Sequence, residues 1–236
     1  MIKLPTIEEM LNAGMHFGHR TSKWHPKMAP FIYGSRNGIH IIDLAKAKEA
    51  LSGALEFIKK TAAEGKVILF VGTKIQAKKI VRKSAEEADM PYVCEKWLGG
   101  TMTNFAIIKK LIKNYKDLLE KKQAGKLEKY TKKEQLEFDR TIARLEIKVG
   151  GLVSLNKVPD VIFIWDIKKE KTALTEARKK GVVIVAACDT NSDPTGVDYI
   201  MPANDDATKT IKLIMKLAVE AVKEGKESAN NKQIKN

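Results

Sequence analysis

The chain has 236 residues, with 43 Lys and Arg against 29 Asp and Glu, for a formal charge of +14. This length makes one large domain, or one domain with an appendage, able to bury a core without disulfide staples. The 44% hydrophobic content excludes a disordered basic tail as the whole protein, and the Lys surplus points to a polyanionic partner.

In chain order, Thr6 and Glu9 form a capping-box pattern that opens a short helix over residues 7–13, stopped by Gly14. Residues 15–44 are dense in Gly, Pro, aromatics and bases, and no acid stands between Met10 and Ile42. All four histidines (His16, His19, His25, His40) lie in the first 40 residues. Apolar runs at 31–33 and 39–42 flank a Gly-Ser-Arg-Asn-Gly segment, a hairpin signal that puts Arg36 and Asn37 at its tip. Asp43 reads as the N-cap of a helix marked by Leu44, Leu51, Leu55 and Ile58 and ended at Gly65.

Strands are predicted at 67–71, 92–94, 161–165, 182–187 and 199–201, and helices at 74–88, 172–180 and 205–223. Fully apolar strands alternating with helices indicate an α/β fold whose parallel sheet is covered on both faces. Residues 104–149 interrupt the alternation with two amphipathic stripes: Phe105, Ile108, Leu111, Tyr115 and Leu118, then Phe138, Ile142, Leu145 and Val149. They read as an inserted antiparallel helical hairpin, a coiled coil, with two ordinary core helices as the rival. The expected organisation is one α/β domain from 1–103 and 150–225 with a basic N-terminal extension, the hairpin at 104–149 and a flexible polar tail at 226–236. Residues 1–95, 96–150 and 151–236 carry +5, +7 and +2, so the first 150 residues form the partner-facing part.

Cys94 and Cys188 sit alone in apolar runs, which fits buried thiols in a reducing compartment. No apolar run approaches the roughly 18 residues a membrane span needs. The start lacks a signal or transit pattern, so the cytoplasm is the expected location. The Gly72-Thr73-Lys74 turn lacks the second glycine of a phosphate loop, and the first strand lacks the acidic pair of a phosphorelay receiver. An α/β enzyme or phosphate-responsive switch at the Asp189/Asp205 edge remains the second reading; no serine, cysteine or metal-hydrolase pattern supports it. At that edge Asp189 and Asp205 or Asp206 with His16 would make a mixed donor set suited to zinc, against plain helix capping by Asp205.

The nucleic-acid reading rests on more residues. Arg20, Lys23, Trp24, His25 and Lys27 interleave bases with an aromatic ring in a Pro-broken segment, suited to phosphate contact and stacking on unpaired bases. Arg36 and Asn37 add the hairpin tip, and Lys74 a strand-to-helix turn. Lys96, Trp97 and Asn104 lie on a Gly-rich loop, with Lys109, Lys110 and Lys113 just inside the following helix. Core packing is the alternative for Trp24 and Trp97.

These residues also carry a resemblance. His16-Phe-Gly-His19, Trp24 to Met28, Arg36 to Asp43, Phe70 to Lys74, Trp97 to Asn104 and Asp189 to Pro194 resemble, in the same order, the small-subunit ribosomal protein S-two family. Residues 159–183, with Asp166, Glu170 and Glu176, are similar to its second signature segment. His25 stands where the family usually has Asn, and Val183 where Pro is common. The resemblance implies a flavodoxin-like doubly wound sheet with a coiled-coil appendage, lying on the solvent side between head and body of the small subunit. It implies contacts with rRNA and neighbouring ribosomal proteins, a docking role for protein S-one, no small-molecule substrate and no catalysis. The hairpin resembles the bacterial and organellar branch, and the missing transit peptide favours a bacterial or organelle-encoded protein.

Overall fold

Side chains alternate between the two faces of the central strands, and this alternation divides the core. In the computed structural model, which describes residues 3–233, β4 (Ile68–Val71), β5 (Tyr92–Val93), β6 (Val161–Trp165), β7 (Val183–Cys188) and β8 (Tyr199–Pro202) form a parallel sheet in the order β5-β4-β6-β7-β8. Numbered by position among these five, the order is 2-1-3-4-5, consistent with flavodoxin-like doubly wound folds. Ile68, Phe70, Phe163, Trp165, Val185 and Ala187 face one core. Leu69, Val71, Ile162, Ile164, Ala186 and Cys188 face the other.

The first core is closed by α1 (Ile7–Asn12), α2 (Leu44–Ala63), α3 (Ile75–Glu87) and α7 (Thr208–Gln233). The second is closed by α4 (Phe105–Gln123), α5 (Lys132–Val149) and α6 (Lys171–Lys180). Both cysteines are free and buried. Burial pushes the Cys94 thiol up to about 12, so it is inert at neutral pH. Among the described residues no helix is long and apolar enough to cross a membrane.

The expected caps form. Thr6 and Glu9 close a capping box on α1, and the Asp43 carboxylate accepts from the Ala45 and Lys46 amides at the start of α2. Asn37 (φ 52°) and Gly38 (φ 75°) make the tight turn between β2 (Ile32–Arg36) and β3 (Ile39–Ile42). The sequence pattern does not show β1 (Phe17–Arg20), which pairs with β3 to give a small antiparallel sheet, β1-β3-β2. With four half-polar residues, one a glycine, β1 has too little alternation to read.

Helices α4 and α5 pack against each other between β5 and β6. Ile108, Ile112 and Tyr115 of α4 and Ile142, Leu145 and Val149 of α5 are buried against the sheet-side core. Between Tyr115 and Ile142 only Leu127 is buried. There the helices are held by a Lys122–Asp139 ion pair at 2.8 Å, with Tyr130 and Phe138 in ring contact.

The last helix runs past its expected end at residue 223, into the stretch expected as a tail. Helix α7 runs through Gly225 to Gln233, so residues 226–233 are helical, and 234–236 lie outside the described residues. Gly225 is not a helix stop. A Cβ there would collide with the Lys59 carbonyl and reach the Ala62 methyl at 2.8 Å, so the glycine permits close approach of α2 and α7.

Candidate nucleic-acid interface

The basic N-terminal segment is strapped to the carboxyl edge of the parallel sheet by the loop that follows β7. The Thr190 hydroxyl accepts from the His19 amide at 2.8 Å, and the Thr190 carbonyl accepts from the His25 amide at 2.7 Å. The strap comes so close at Gly18 that a Cβ would stand 2.6 Å from the Thr190 methyl. Lys27 bonds to the Thr195 hydroxyl and pairs with Asp193 at 3.6 Å, and His25 lies 3.9 Å from Asp193.

This docking leaves Arg20, Lys23, Trp24, Arg36 and Asn37 on the exposed side of the strap. Trp24 is 41% exposed, its ring against His40 at 5.3 Å, and Tyr33 is 81% exposed. The arrangement offers cations and one edge-held indole on a single surface, as contact with phosphates and unpaired bases requires. Lys96, Asn104, Lys109, Lys110 and Lys113 are also exposed, at the start of α4.

Two sequence candidates are corrected. Trp97 is 8% exposed and packs in the second core, with its indole N–H donated to Glu176 at 3.1 Å, so it has no free face for a base. Lys74 is turned inward: its side chain is 15% exposed, with Nζ 2.7 Å from Asp205, 2.7 Å from Asp206 and 3.3 Å from Asp166. Its charge is committed to carboxylates rather than to phosphate. Asp205 accordingly does not cap α7; the Asn204 side chain instead accepts from the Asp206 and Ala207 amides.

The histidine of this cluster is His19, not His16. His19 Nδ1 lies 3.1 Å from Asp189 and Nε2 3.6 Å from Asp206. The Nδ1 of His16 is buried and without a partner, and burial lowers its pKa. His19, Asp205 and Asp206 offer donor atoms within 4.8 Å of one another. The Lys74 ammonium already sits among the same carboxylates, and a divalent ion would have to displace it. The mixed donor set is therefore present with His19 in place of His16, shared with the Lys74 ammonium. In a doubly wound sheet, ligands enter the crevice at this carboxyl edge. Here Lys74, the His19 strap and the Trp165 N–H donated to the Asp205 carbonyl fill it.

One ammonium does not balance three carboxylates. Burial and the charges of Asp166 and Asp189 push Asp205 up to about 7, against the opposing pull of Lys74. The Asp189 carboxylate raises His19 despite partial burial. Both groups hold a proton in the folded chain over a range where the unfolded chain has lost it, so stability falls as pH rises through that range. His16, lowered, works the other way. The urea midpoint is expected to decline between pH 5.5 and 8, and the decline to flatten in Asp205→Asn. Equal slopes in the two proteins would remove Asp205 as the titrating group.

A third feature is absent from the residue-by-residue reading of the sequence. The Glu176 carboxylate accepts from the Trp97 indole, the amides of Gly100, Met102 and Thr103, and the Thr103 hydroxyl, at 2.7–3.1 Å. These bonds outweigh desolvation and hold its pKa below the usual range. Glu170 likewise accepts from the Thr73 amide at 2.9 Å. Only the resemblance drew attention to the two glutamates; an acid on an amphipathic helix otherwise reads as a solvated face.

Comparison with known proteins adds an independent line. A family model described as Ribosomal protein S2 matches residues 10–225. A curated relative, "Small ribosomal subunit protein uS2" of Coprothermobacter proteolyticus (strain ATCC 35245 / DSM 5265 / OCM 4 / BT), is 48% identical over 222 residues, covering 94% of this chain and 83% of that relative.

Proposed function

The chain belongs to the ribosomal protein S2 family, a family of structural ribosomal proteins rather than enzymes, and from that premise we propose that it binds small-subunit rRNA and neighbouring ribosomal proteins through its N-terminal strap. The observation that carries this reading is the strap itself: an acid-free basic segment, docked by Thr190 and His19, with Arg20, Lys23, Trp24 and Arg36 left facing solvent. Lys96, Lys109, Lys110 and Lys113 extend the same chemistry to the start of α4. The family match supports a structural role.

The α4–α5 pair is read as an inserted hairpin, because its distal half is supported by almost no buried side chains. Ile107, Leu136 and Ile147 stand exposed on it and offer apolar surface to a protein neighbour. Docking of protein S-one, expected from the resemblance, is assigned to this protein on the assembled particle. The resemblance of this hairpin to the bacterial and organellar branch supports a protein of that type, and the ribosome of that compartment is the proposed location.

Rebinding to small subunits stripped of this protein tests the reading. Affinity is expected to fall steeply with salt, with a log-log slope of about −0.7 to −0.9 per phosphate neutralised. Arg20→Glu, Lys23→Glu and Arg36→Glu together should make that slope shallower by about one unit per lost contact, without shifting the urea midpoint. A chain that never tracks small subunits in sedimentation at moderate salt would sink the proposal.

A further inference from the structure

We propose that the groove between α3 and α7, on the helical layer that covers the first core, is a second contact for an RNA phosphate backbone, separate from the N-terminal strap; the proposal rests on the ribosomal reading above. The groove has a volume of about 510 Å³. Lys79 and Lys83 line one wall and Lys212, Lys216 and Lys223 the other, all exposed. Two acids share the groove. Glu87 is taken by Lys223 at 2.7 Å, and Glu220 lies 3.8 Å from Lys216. Among the described residues Lys79, Lys83 and Lys212 have no acidic partner within ion-pair distance.

Spacing and composition favour a phosphodiester chain. Lys79 and Lys83 are four residues apart on one helix, and Lys212 and Lys216 four apart on the other, a rise of about 6 Å along each axis. Each row at that interval offers roughly one cation for every second charge of a strand that presents one about every 3.4 Å. The floor is aliphatic, with Ile80 and Val219, and no aromatic side chain lines the groove. It can therefore neutralise phosphates but has no ring for a base to stack on, in contrast to the strap with Trp24. Contact here is expected to be independent of sequence. The net charge of residues 151–236, only +2, does not reveal this surface, because two of its five lysines come from α3 and the acids of residues 151–236 lie mostly at the sheet edge and in the loops.

The test uses the full chain and stripped small subunits. Lys79→Glu, Lys83→Glu and Lys212→Glu together are expected to make the plot of log affinity against log salt shallower by about two to three units. The neutral series, Lys79→Gln, Lys83→Gln and Lys212→Gln, should give the same direction with a smaller loss, which guards against a folding artefact of charge reversal. A hydroxyl-radical probe tethered at Lys216→Cys should then cleave rRNA in the rebound particle; the native cysteines are buried and do not compete. An unchanged salt slope overturns the groove while the proposed function stands, because the strap variants are scored in the same assay. Cleavage confined to a neighbouring protein also overturns it and assigns the groove to an acidic polypeptide. Failure of the unaltered chain to rebind overturns both.

Discussion

Replacing Lys74 by Met is expected to destabilise the protein by about 3–5 kcal/mol at pH 7.5, the cost of leaving buried carboxylates without their cation. Asp205 is nearly inaccessible and Asp166 little more exposed, so water cannot take over from the ammonium. The loss should shrink at pH 5.5, where Asp205, already pushed up to about 7, takes a proton instead. Urea unfolding at the two pH values measures both effects. A double-mutant cycle with Asp205→Asn should show a coupling of about 1–3 kcal/mol, since the two groups are in direct contact. A loss below about 1 kcal/mol would mean that solvent serves the cluster after all, as it does for surface pairs. The substitution should also loosen the N-terminal strap: His19 is held to Asp189 and Asp206 of this network. Amide exchange at residues 17–25 should rise more than exchange in β6, which lies at the centre of the sheet.

Glu176→Ala is expected to cost about 2–4 kcal/mol, because it removes the acceptor for several donors that have no nearby substitute. Each buried donor left unpaired costs about 1–3 kcal/mol, partly relieved where water can enter. Gly100 and Thr103 sit nearer the surface and regain water; the Trp97 indole and the Met102 amide do not. Glu176→Gln should fall between, since its amide nitrogen faces donors and gives back one oxygen only. The readouts are the urea midpoint and Trp fluorescence, which should shift to the red as Trp97 gains water. A native emission maximum in the Ala variant would show that the loop holds its shape without the carboxylate. Through this loop the effect reaches the start of α4, where Lys109, Lys110 and Lys113 are displayed.

The cluster and the loop explain why some candidates were legible in the sequence and others were not. The exposed bases Arg20, Lys23 and Arg36 could be read because an acid-free run has no local partner to take its charge, whatever the fold. Lys74 looks the same in sequence as those residues. Its fate depended on Asp205 and Asp206, more than 130 residues away, brought beside it by the order of the parallel strands. Trp97 was undecided between stacking and packing, and the carboxylate of Glu176, 79 residues further along the chain on α6, settled it for packing. His16 and His19 are equivalent by spacing. Only the close approach of Gly18 to Thr190 determines which of them meets Asp189.

The sequence by itself determined the strands of the parallel sheet, the capped helices, the two-faced burial and the basic character of the first 150 residues. Each of these is a local property: periodicity, cap chemistry or the absence of nearby acid. Tertiary structure alone decided the pairing of charges. It withdrew Lys74 and Trp97 from the proposed binding surface, carried α7 through Gly225 beyond its expected end at residue 223, and gathered lysines of α3 and α7, far apart in the chain, into one groove. The physical reason is the same in each case. An ion pair, a close backbone approach and a charged patch depend on distance in space, and a doubly wound sheet brings together residues that no window along the chain contains.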